Sequence, residues 1–228
     1  MKNKIFKYDF LIIGSGLIGA ITAYALCKKN FNVLIIDKND NNFKDNRTLA
    51  VNANSKELLE QLGIWNELKF KPQPINKIVI KDYINSSPLL FINKDSPMGS
   101  VIFNKELHKI LIKKLKTLKA LKTNTNLDLR NITPNKLIKI RNRNYKFKKI
   151  IVSIGKSINM SSGQKSIIFN KNHHSYVGFF NHENDHKNIA YEIFKKEGPL
   201  AVLPSPSKDR RKSTFIFSTN KDISYLDL

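Results

Sequence analysis

Hydrophobic and polar positions change period near the start of the chain. Phe10–Ile13 is a continuous apolar run, which is typical of a strand buried on both faces of a parallel sheet. From Leu17 to Lys29 the apolar positions follow helical spacing, and Asn30 is suited to end that helix. A second apolar strand, Asn32–Ile36, follows and closes on Asp37. The pattern predicts a β-α-β unit of about thirty residues.

The same region also has the length of a membrane-spanning or signal segment, because Phe10–Cys27 is 18 residues without a charge. A signal peptide would end in a small-residue cleavage site, whereas this apolar stretch continues into a second strand. A membrane span of about 20 apolar residues would not cluster three glycines near one end. A cofactor loop therefore explains more of these residues than a membrane span does.

The loop reads GSGLIG and matches GxGxxG at Gly14, Gly16 and Gly19. In this motif the first glycine permits a tight turn, the second lets a diphosphate approach the backbone, and the third lets the helix pack on the strand. The helix N-terminus offers amide donors and a positive dipole. Asp37 is placed to accept a hydrogen bond from a ribose hydroxyl. Dinucleotide binding is predicted, with a glycine-rich turn without a ligand as the alternative.

Further along the chain, the pattern predicts one more helix and additional strands. A helix over Lys105–Leu121 is expected to bury one apolar face (Leu107, Ile110, Leu111, Leu115 and Leu118) and to present lysines on the other. Leu137–Lys149 predicts a hairpin around RNRN. Alternating residues in Ile75–Ile92 and Ser175–Thr219 predict an antiparallel sheet, and the polar Asn159–Asn172 predicts a linker.

Composition is ordinary for a globular protein, with 41% hydrophobic and 25% charged residues, but the net charge is +22. The excess is densest over residues 104–149, with 15 basic residues against two acidic ones. Attraction to nucleic acid or anionic lipid is one reading of such a surplus. No nucleic-acid-binding motif accompanies it. A solvated lysine-rich surface is the preferred interpretation, and no nucleic-acid partner is expected. Nucleic-acid binding, which rests on charge alone, and a membrane-surface role for the basic helix are the alternatives.

Cysteine and histidine usage points away from disulfide and metal chemistry. Cys27 is the only cysteine, which excludes an intrachain disulfide and favours a reducing, cytoplasmic compartment. His182 and His186 lie four residues apart, but the surrounding NHENDHKN is typical of a polar loop. No metal ligand set is predicted.

Four separated segments carry a resemblance to a known family. The first is the β-α-β unit, and the second is Asp45–Trp65, which contains an Arg, a helix led by Ser55 and a final Leu-Gly-Ile-Trp. The third is the strand and helix of Gly99–Leu115, and the fourth is the pair of segments Ala190–Pro206 and Lys212–Thr219. In this order the segments resemble the FAD-dependent aromatic-ring monooxygenases of ubiquinone biosynthesis, the 2-polyprenylphenol and 2-polyprenyl-6-methoxyphenol hydroxylases. The match covers most of the chain and resembles the N-terminal portion of a family member.

The resemblance implies an α/β fold, α+β overall, in which a Rossmann-like FAD-binding layer is joined to an antiparallel substrate-domain sheet. It implies residues 1–75 and 100–158 for FAD binding, and residues 76–99 and 159–228 for a partial substrate domain. Arg47 would lie near the FAD phosphates, with a surface charge as the alternative. Asn104 would approach the flavin or simply cap its helix. Pro204 would form a turn near the flavin face or serve structure alone.

The cofactor-binding residues expected from motif and resemblance together are Gly14, Ser15, Gly16, Leu17, Ile18, Gly19, Asp37, Lys38, Arg47 and Asn104. No catalytic residue is nominated, because the flavin carries the difficult step while the protein orients the reactants and excludes water. The implied reaction is hydroxylation of a polyprenylated phenol with NAD(P)H as co-substrate and dioxygen as oxidant.

Two departures from the family pattern qualify this expectation. A Gly-Ala-Asp-Gly segment is expected where the chain reads VSIGKSIN, so that Gly155 and Lys156 stand in place of the acid and the last glycine. The chain also stops before the family's Gly-Asp motif. A truncated, non-catalytic FAD-binding remnant or one half of a split hydroxylase is therefore the alternative. The expected partners are the polyprenyl phenol, a second chain or other proteins of the pathway, and the inner membrane as a peripheral contact.

Overall fold

The computed structural model describes residues 4–39, 45–84, 87–125, 127, 132–155 and 174–220. These residues form a mixed α/β structure, as predicted. The strands and helices are β1 (Ile5–Ile13), α1 (Leu17–Lys28), β2 (Val33–Ile36), β3 (Thr48–Asn52), α2 (Ala53–Gln61), β4 (Gln73–Ile75), β5 (Lys77–Asp82), β6 (Leu89–Ile92), β7 (Gly99–Phe103), α3 (Asn104–Thr117), β8 (Leu121–Lys122), β9 (Leu137–Ile140), β10 (Arg143–Val152), β11 (His174–Asn181), β12 (Ile189–Lys195), β13 (Gly198–Pro204) and β14 (Lys212–Thr219).

Two compact units share the chain, and each is built from two separate stretches. The first comprises Met1–Lys44 with Leu107–Ile167, and the second Asp45–Glu106 with Ile168–Leu228. The expected assignment of residues 1–75 and 100–158 to FAD binding, and of the remainder to substrate, stays a prediction about function. The linker predicted at Asn159–Asn172 lies outside the described residues.

The first unit is organised around a five-stranded sheet of order β8-β2-β1-β10-β9. Strands β8, β2, β1 and β10 are parallel, and β9 joins β10 as the antiparallel edge. Ile13 pairs with Ile36 of β2 and with Val152 of β10, so the carboxyl ends of three parallel strands lie side by side. Leu11, Leu34 and other buried side chains form the core of this sheet. The β-α-β unit predicted from the hydrophobic pattern is therefore confirmed.

Local residues explain where these elements turn. Asn30 has a φ of 63°, the left-handed conformation that ends α1, as predicted. The hairpin predicted around RNRN is formed by β9 and β10, where Arg141 and Asn142 both have positive φ. Two consecutive left-handed residues suit the right-handed twist of a two-residue hairpin. No helix in the described residues is long and apolar enough to cross a bilayer.

The second unit contains two sheets. One has three antiparallel strands in the order β3-β7-β4, and the other has six in the order β11-β14-β13-β12-β5-β6. The predicted antiparallel sheet is correct except at one pairing, because β12 runs parallel to β5. Ile75, Val101 and Ala190 form a buried cluster in this unit, with Ile78 and Leu203 packed against it.

Helix α2 begins earlier than the sequence suggested. Ser55 was expected to cap it, but the side chain of Asn52 accepts a hydrogen bond from the Ser55 N–H at 2.8 Å. Asparagine is as good an N-cap as serine, and it stands three residues before the amide that it binds. Gly63, with a φ of 67°, follows the helix.

Helix α3 also ends earlier than predicted. It ends at Thr117 instead of Leu121, and Leu121 begins β8. Leu107, Leu111 and Leu115 are buried as expected, whereas Leu118 is 51% exposed. Because the main apolar positions of α3 are buried in the protein, this helix does not present an apolar face to a bilayer.

Replacing a leucine of the buried α3 face tests this packing. Leu111 has no exposed surface, so Leu111→Ala is expected to lower the free energy of unfolding by about 2–5 kcal/mol. Leu118→Ala is the matched control and is expected to change it by less than about 0.5 kcal/mol. Urea denaturation of both variants measures the difference. Equal losses would contradict the observed orientation of the helix.

Candidate nucleotide-binding site

The loop between β1 and α1 is shaped by two close backbone approaches. Gly14 has a φ of 101°, and a Cβ placed on it would lie 2.3 Å from the Ser153 carbonyl oxygen. A Cβ on Gly19 would lie 2.0 Å from the carbonyl oxygen of Gly14. Neither position has room for a side chain, so both glycines are required by the fold itself.

Gly16 is different, because a Cβ placed on it would meet no atom within 4 Å. It is the N-cap of α1, and the first helical hydrogen bond runs from the Ala20 N–H to the Gly16 carbonyl. The first amides of a helix have no partner within the helix and carry its positive dipole end. The first turn of α1 contains no acidic residue. An anion can therefore approach the backbone at Gly16 without obstruction.

A cleft of about 410 Å³ opens at this loop, beside the carboxyl ends of the parallel strands. Ligands of open parallel sheets bind at this edge, in clefts of about 300–1,000 Å³. The cleft is lined by Ile13, Gly14, Gly16, Leu17, Ile18, Asp37, Lys38, Asn39, Thr125, Leu127, Ser153, Ile154 and Gly155.

Asp37 connects the loop to the end of β2. Its Oδ2 accepts hydrogen bonds from the Ser15 N–H at 2.6 Å and from the Ser15 hydroxyl at 2.8 Å. Its Oδ1 accepts one from the Asn39 N–H at 2.9 Å. A carboxylate has about four acceptor positions, so Asp37 can hold the loop and still accept a hydroxyl hydrogen. The sequence predicted only the second of these functions.

His108 is a site residue that the sequence analysis missed. It is 3% exposed on α3, and its Nε2–H donates to the carbonyl oxygen of Ser15 at 2.8 Å. Burial lowers the pKa of His108 below its ordinary value, which keeps the ring neutral near pH 7. Its position between leucines of an apolar helical face was the available signal. Ser15, itself 2% exposed, is thus held by Asp37 on one side and His108 on another.

Arg47 and Asn104 lie in the second unit, where Asp45 links them. The Arg47 guanidinium donates to both oxygens of Asp45, through Nε at 2.8 Å and Nη2 at 2.6 Å. The Asn104 side-chain amide donates to Asp45 Oδ2 at 2.6 Å. The Arg47 guanidinium holds the pKa of Asp45 below its ordinary value. Asn104 Oδ1 and Thr48 Oγ1 are buried and have no hydrogen-bond partner in the described part of the chain.

The segment that departs from the family pattern lines the same cleft. The Ser153 N–H donates to the Ile13 carbonyl at 2.7 Å, which continues the pairing of β10 with β1 past the last strand residue. Gly155 has a φ of 60° and open space where a side chain would stand. The chain therefore presents backbone, with no carboxylate, at the position where an acid was expected.

Of the ten residues expected to bind a cofactor, the structure brings six to the cleft: Gly14, Gly16, Leu17, Ile18, Asp37 and Lys38. Ser15 is a buried residue of the loop, and Gly19 lies at the contact between α1 and the loop. Pro204, at the end of β13, is paired with Ser213 in the second unit. Its role near a flavin stays a prediction.

These features together define a dinucleotide-binding protein. They are a glycine loop between the first parallel strand and its helix, an acid after the second strand, and a cleft at the strand ends. Residues 7–136 match the family described as FAD binding domain. The chain belongs to this family, and FAD is its cofactor.

The chain is also similar to a curated protein and to solved structures. It is 26% identical to the ubiquinone hydroxylase UbiL of Rhodospirillum rubrum, in a match that covers 94% of this chain and 52% of UbiL. The chain thus spans about half the length of this curated relative. PqsL of Pseudomonas aeruginosa, a probable FAD-dependent monooxygenase, has a TM-score of 0.75 at 12% identity, with 93% of this chain and 60% of PqsL covered.

A third similarity, to p-nitrophenol 4-monooxygenase PnpA of Pseudomonas putida, has a TM-score of 0.74 at 11% identity and covers 97% of this chain and 60% of PnpA. At these identities the two solved structures establish the fold. The residues of the cleft fit the adenosine diphosphate part of FAD, because Gly16 leaves an open backbone surface and the first turn of α1 carries no competing acid.

Alanine substitution separates the glycines that shape the loop from the glycine that faces the cleft. Gly16→Ala is expected to leave the unfolding temperature nearly unchanged and to weaken FAD binding by about tenfold or more, because its methyl group would enter the space that a diphosphate needs. Gly19→Ala is expected to destabilise the protein, because its Cβ would collide with the Gly14 carbonyl. Thermal unfolding and flavin fluorescence titration measure the two effects. A strongly destabilised Gly16→Ala protein would contradict this division.

Neutralising Asp45 tests its link to Arg47. The pKa of Asp45 is lower in the folded protein than the unfolded-state value of about 4, so the pair stabilises the fold fully at pH values above about 4. This stabilisation is lost as the pH falls through the pKa of Asp45 in the folded protein. Asp45→Asn is expected to lower the unfolding temperature at pH 7 and to approach the wild type in acid. Asp95→Asn, on an exposed residue, is the control. A deficit for Asp45→Asn that grew on acidification would contradict the pairing.

Proposed function

We propose that the chain is the FAD-binding and substrate-binding part of a flavin-dependent hydroxylase. Its substrate would be a polyprenylated phenol of ubiquinone biosynthesis, with NAD(P)H as the reductant and dioxygen as the oxidant. The observation that carries the proposal is the open backbone at Gly16, set in the cleft of a chain that belongs to an FAD-binding family. The relationship to UbiL supports the choice of pathway.

Bound FAD would supply the redox chemistry, by accepting hydride from NAD(P)H and activating dioxygen for transfer to the ring. The protein residues then have binding and orienting functions. The amides at Gly16, Leu17 and Ile18 would bind the diphosphate. Asp37 would accept a hydrogen bond from a ribose hydroxyl, because its Oδ1 has an acceptor position that the Asn39 N–H does not use. Lys38, at the cleft wall, would add positive charge.

Arg47 and Asn104 are proposed to bind polar groups of the same cofactor. Asp45 holds the planar guanidinium of Arg47 in a fixed orientation, so less side-chain entropy would be lost when it binds a further oxygen. The buried Asn104 Oδ1 has unused hydrogen-bonding capacity, which suits the N–H of a heterocyclic ring.

A non-catalytic FAD-binding module, or one half of a split hydroxylase, is the second candidate. The observation that favours it is that Ser153, Ile154 and Gly155 line the cleft without a carboxylate, where the family pattern calls for an acid. This module would retain the cofactor without supporting hydroxylation.

The proposed peripheral contact with the inner membrane would be electrostatic, because the chain carries a net charge of +22 while the apolar face of α3 is buried.

Substrate-dependent oxidation of NAD(P)H distinguishes the candidates. Purified protein supplied with FAD, NADH or NADPH, and 2-allylphenol as a short polyprenylphenol analogue is expected to oxidise the nucleotide faster than without the phenol. Mass spectrometry under ¹⁸O₂ is expected to show one labelled oxygen in the product. Gly16→Ala, which is expected to bind FAD poorly, is the control.

The three outcomes of this assay separate the two candidates. Labelled product supports the hydroxylase. FAD binding without product, even when the C-terminal half of a relative is added, supports the non-catalytic module. Failure to bind FAD at all would contradict both.

A further inference from the structure

The six-stranded sheet of the second unit carries one carboxylate in an apolar row. Side chains that are paired across neighbouring strands lie on the same face of a sheet. Glu192 of β12 is paired with Ile80 of β5 and with Ala201 of β13. Ile80 is paired in turn with Leu89 of β6. The row therefore crosses four strands and contains a single charged group.

Large apolar side chains continue this surface on the same face. Phe194 stands two residues beyond Glu192, and Phe91 is paired with Ile78 in the next row. Leu89, Phe91 and Phe194 are 62%, 46% and 48% exposed. Contiguous exposed apolar groups of this kind mark binding surfaces more often than plain solvent-facing surface.

The charge of Glu192 is not compensated by any residue in the part of the chain that the structure describes. Glu192 is half-buried, and within the described ranges it makes no hydrogen bond or ion pair. Burial raises the pKa of its carboxyl above the ordinary value. The described strands β5, β6, β12 and β13 place no lysine or arginine on this face. The other acid there, Asp82, accepts a hydrogen bond from the Ile84 N–H at 3.1 Å.

These properties restrict what can bind. A partly desolvated carboxylate gains from a hydrogen-bond donor such as a hydroxyl group, because hydrogen bonds to charged groups are stronger than those between neutral groups. The apolar neighbours favour an aromatic or aliphatic body. A ligand that carries its own carboxylate would be repelled, since no cation on these strands offsets two negative charges.

We propose that this face binds the phenolic substrate and that the Glu192 carboxylate accepts the hydrogen of its hydroxyl group, so that neutral alkylated phenols bind and phenols with a carboxylate do not. The proposal rests on the hydroxylase function proposed above and makes it more specific. Glu192 is thus a specificity residue that contacts the substrate, while the ring is held by the apolar surface around Leu89, Phe91 and Phe194.

Three probes and three variants test this assignment in the full chain. The probes are 2-allylphenol, 2-allylanisole, which lacks the hydroxyl hydrogen, and 3-allyl-4-hydroxybenzoate, which adds a carboxylate. The variants are Glu192→Leu, Glu192→Gln and the control Glu183→Gln, on an exposed loop residue. Dissociation constants are measured by NMR titration, with the unfolding temperature of each variant recorded to exclude loss of the fold.

Wild type and Glu183→Gln are expected to bind the phenol about tenfold or more tightly than the anisole and to reject the acid. Glu192→Leu is expected to lose the preference for the phenol but to keep anisole binding. Glu192→Gln is expected to keep an acceptor for the phenol and to begin to bind the acid. Equal preferences in wild type and Glu192→Leu would overturn the proposal. Failure of the wild type to bind either neutral probe would also overturn the proposal. This outcome includes the case in which a second copy of the chain covers the face.

The same samples separate this proposal from the proposed function. FAD affinity is measured on each by flavin fluorescence. Normal FAD binding with unchanged phenol selectivity in Glu192→Leu would reject the role of Glu192 and leave the hydroxylase proposal in place. Absence of FAD binding in wild type would reject the hydroxylase, whatever the phenol titrations show.

Discussion

The close contact of backbone with backbone at Gly14 and Gly19 is the constraint on which the nucleotide site depends. The loop carbonyl of Gly14 lies where a Cβ on Gly19 would stand, and the Ser153 carbonyl lies where a Cβ on Gly14 would stand. These contacts bring the N-terminus of α1 against the ends of β1 and β10. The helix dipole and its first amides consequently face the cleft, and Gly16 leaves the approach open.

Polar side chains then hold this loop from two directions. Asp37 binds the amide and hydroxyl of Ser15, and His108 binds its carbonyl. A buried hydrogen-bond network of this kind fixes one geometry, because any other would leave buried donors and acceptors unpaired. The loop is therefore pre-organised for an anion, and less ordering entropy is lost on binding.

The sequence predicted the parts of the structure that follow from local chemistry. The strand, loop, helix and acid of Phe10–Asp37 were predictable because hydrophobic period and glycine spacing have direct conformational meaning. Asn52 as the cap of α2 was missed because Ser55, a good cap itself, stands nearby. His108 was missed because its partner, Ser15, is far away in sequence, and Asp45 was missed because it joins nearby Arg47 to distant Asn104. The parallel pairing of β12 with β5 depends on chain connection rather than on residue type.

The central claim is that the amides at the start of α1 bind the diphosphate of FAD. The most direct measurement is a ¹⁵N NMR titration of the purified chain with FAD, following the backbone amides of Gly16, Leu17 and Ile18 against those of Gly63 and Gly178 as references. The account predicts large, saturable shifts of the first three and little change in the last two. Saturable FAD binding that left the Gly16, Leu17 and Ile18 amides unshifted would contradict it.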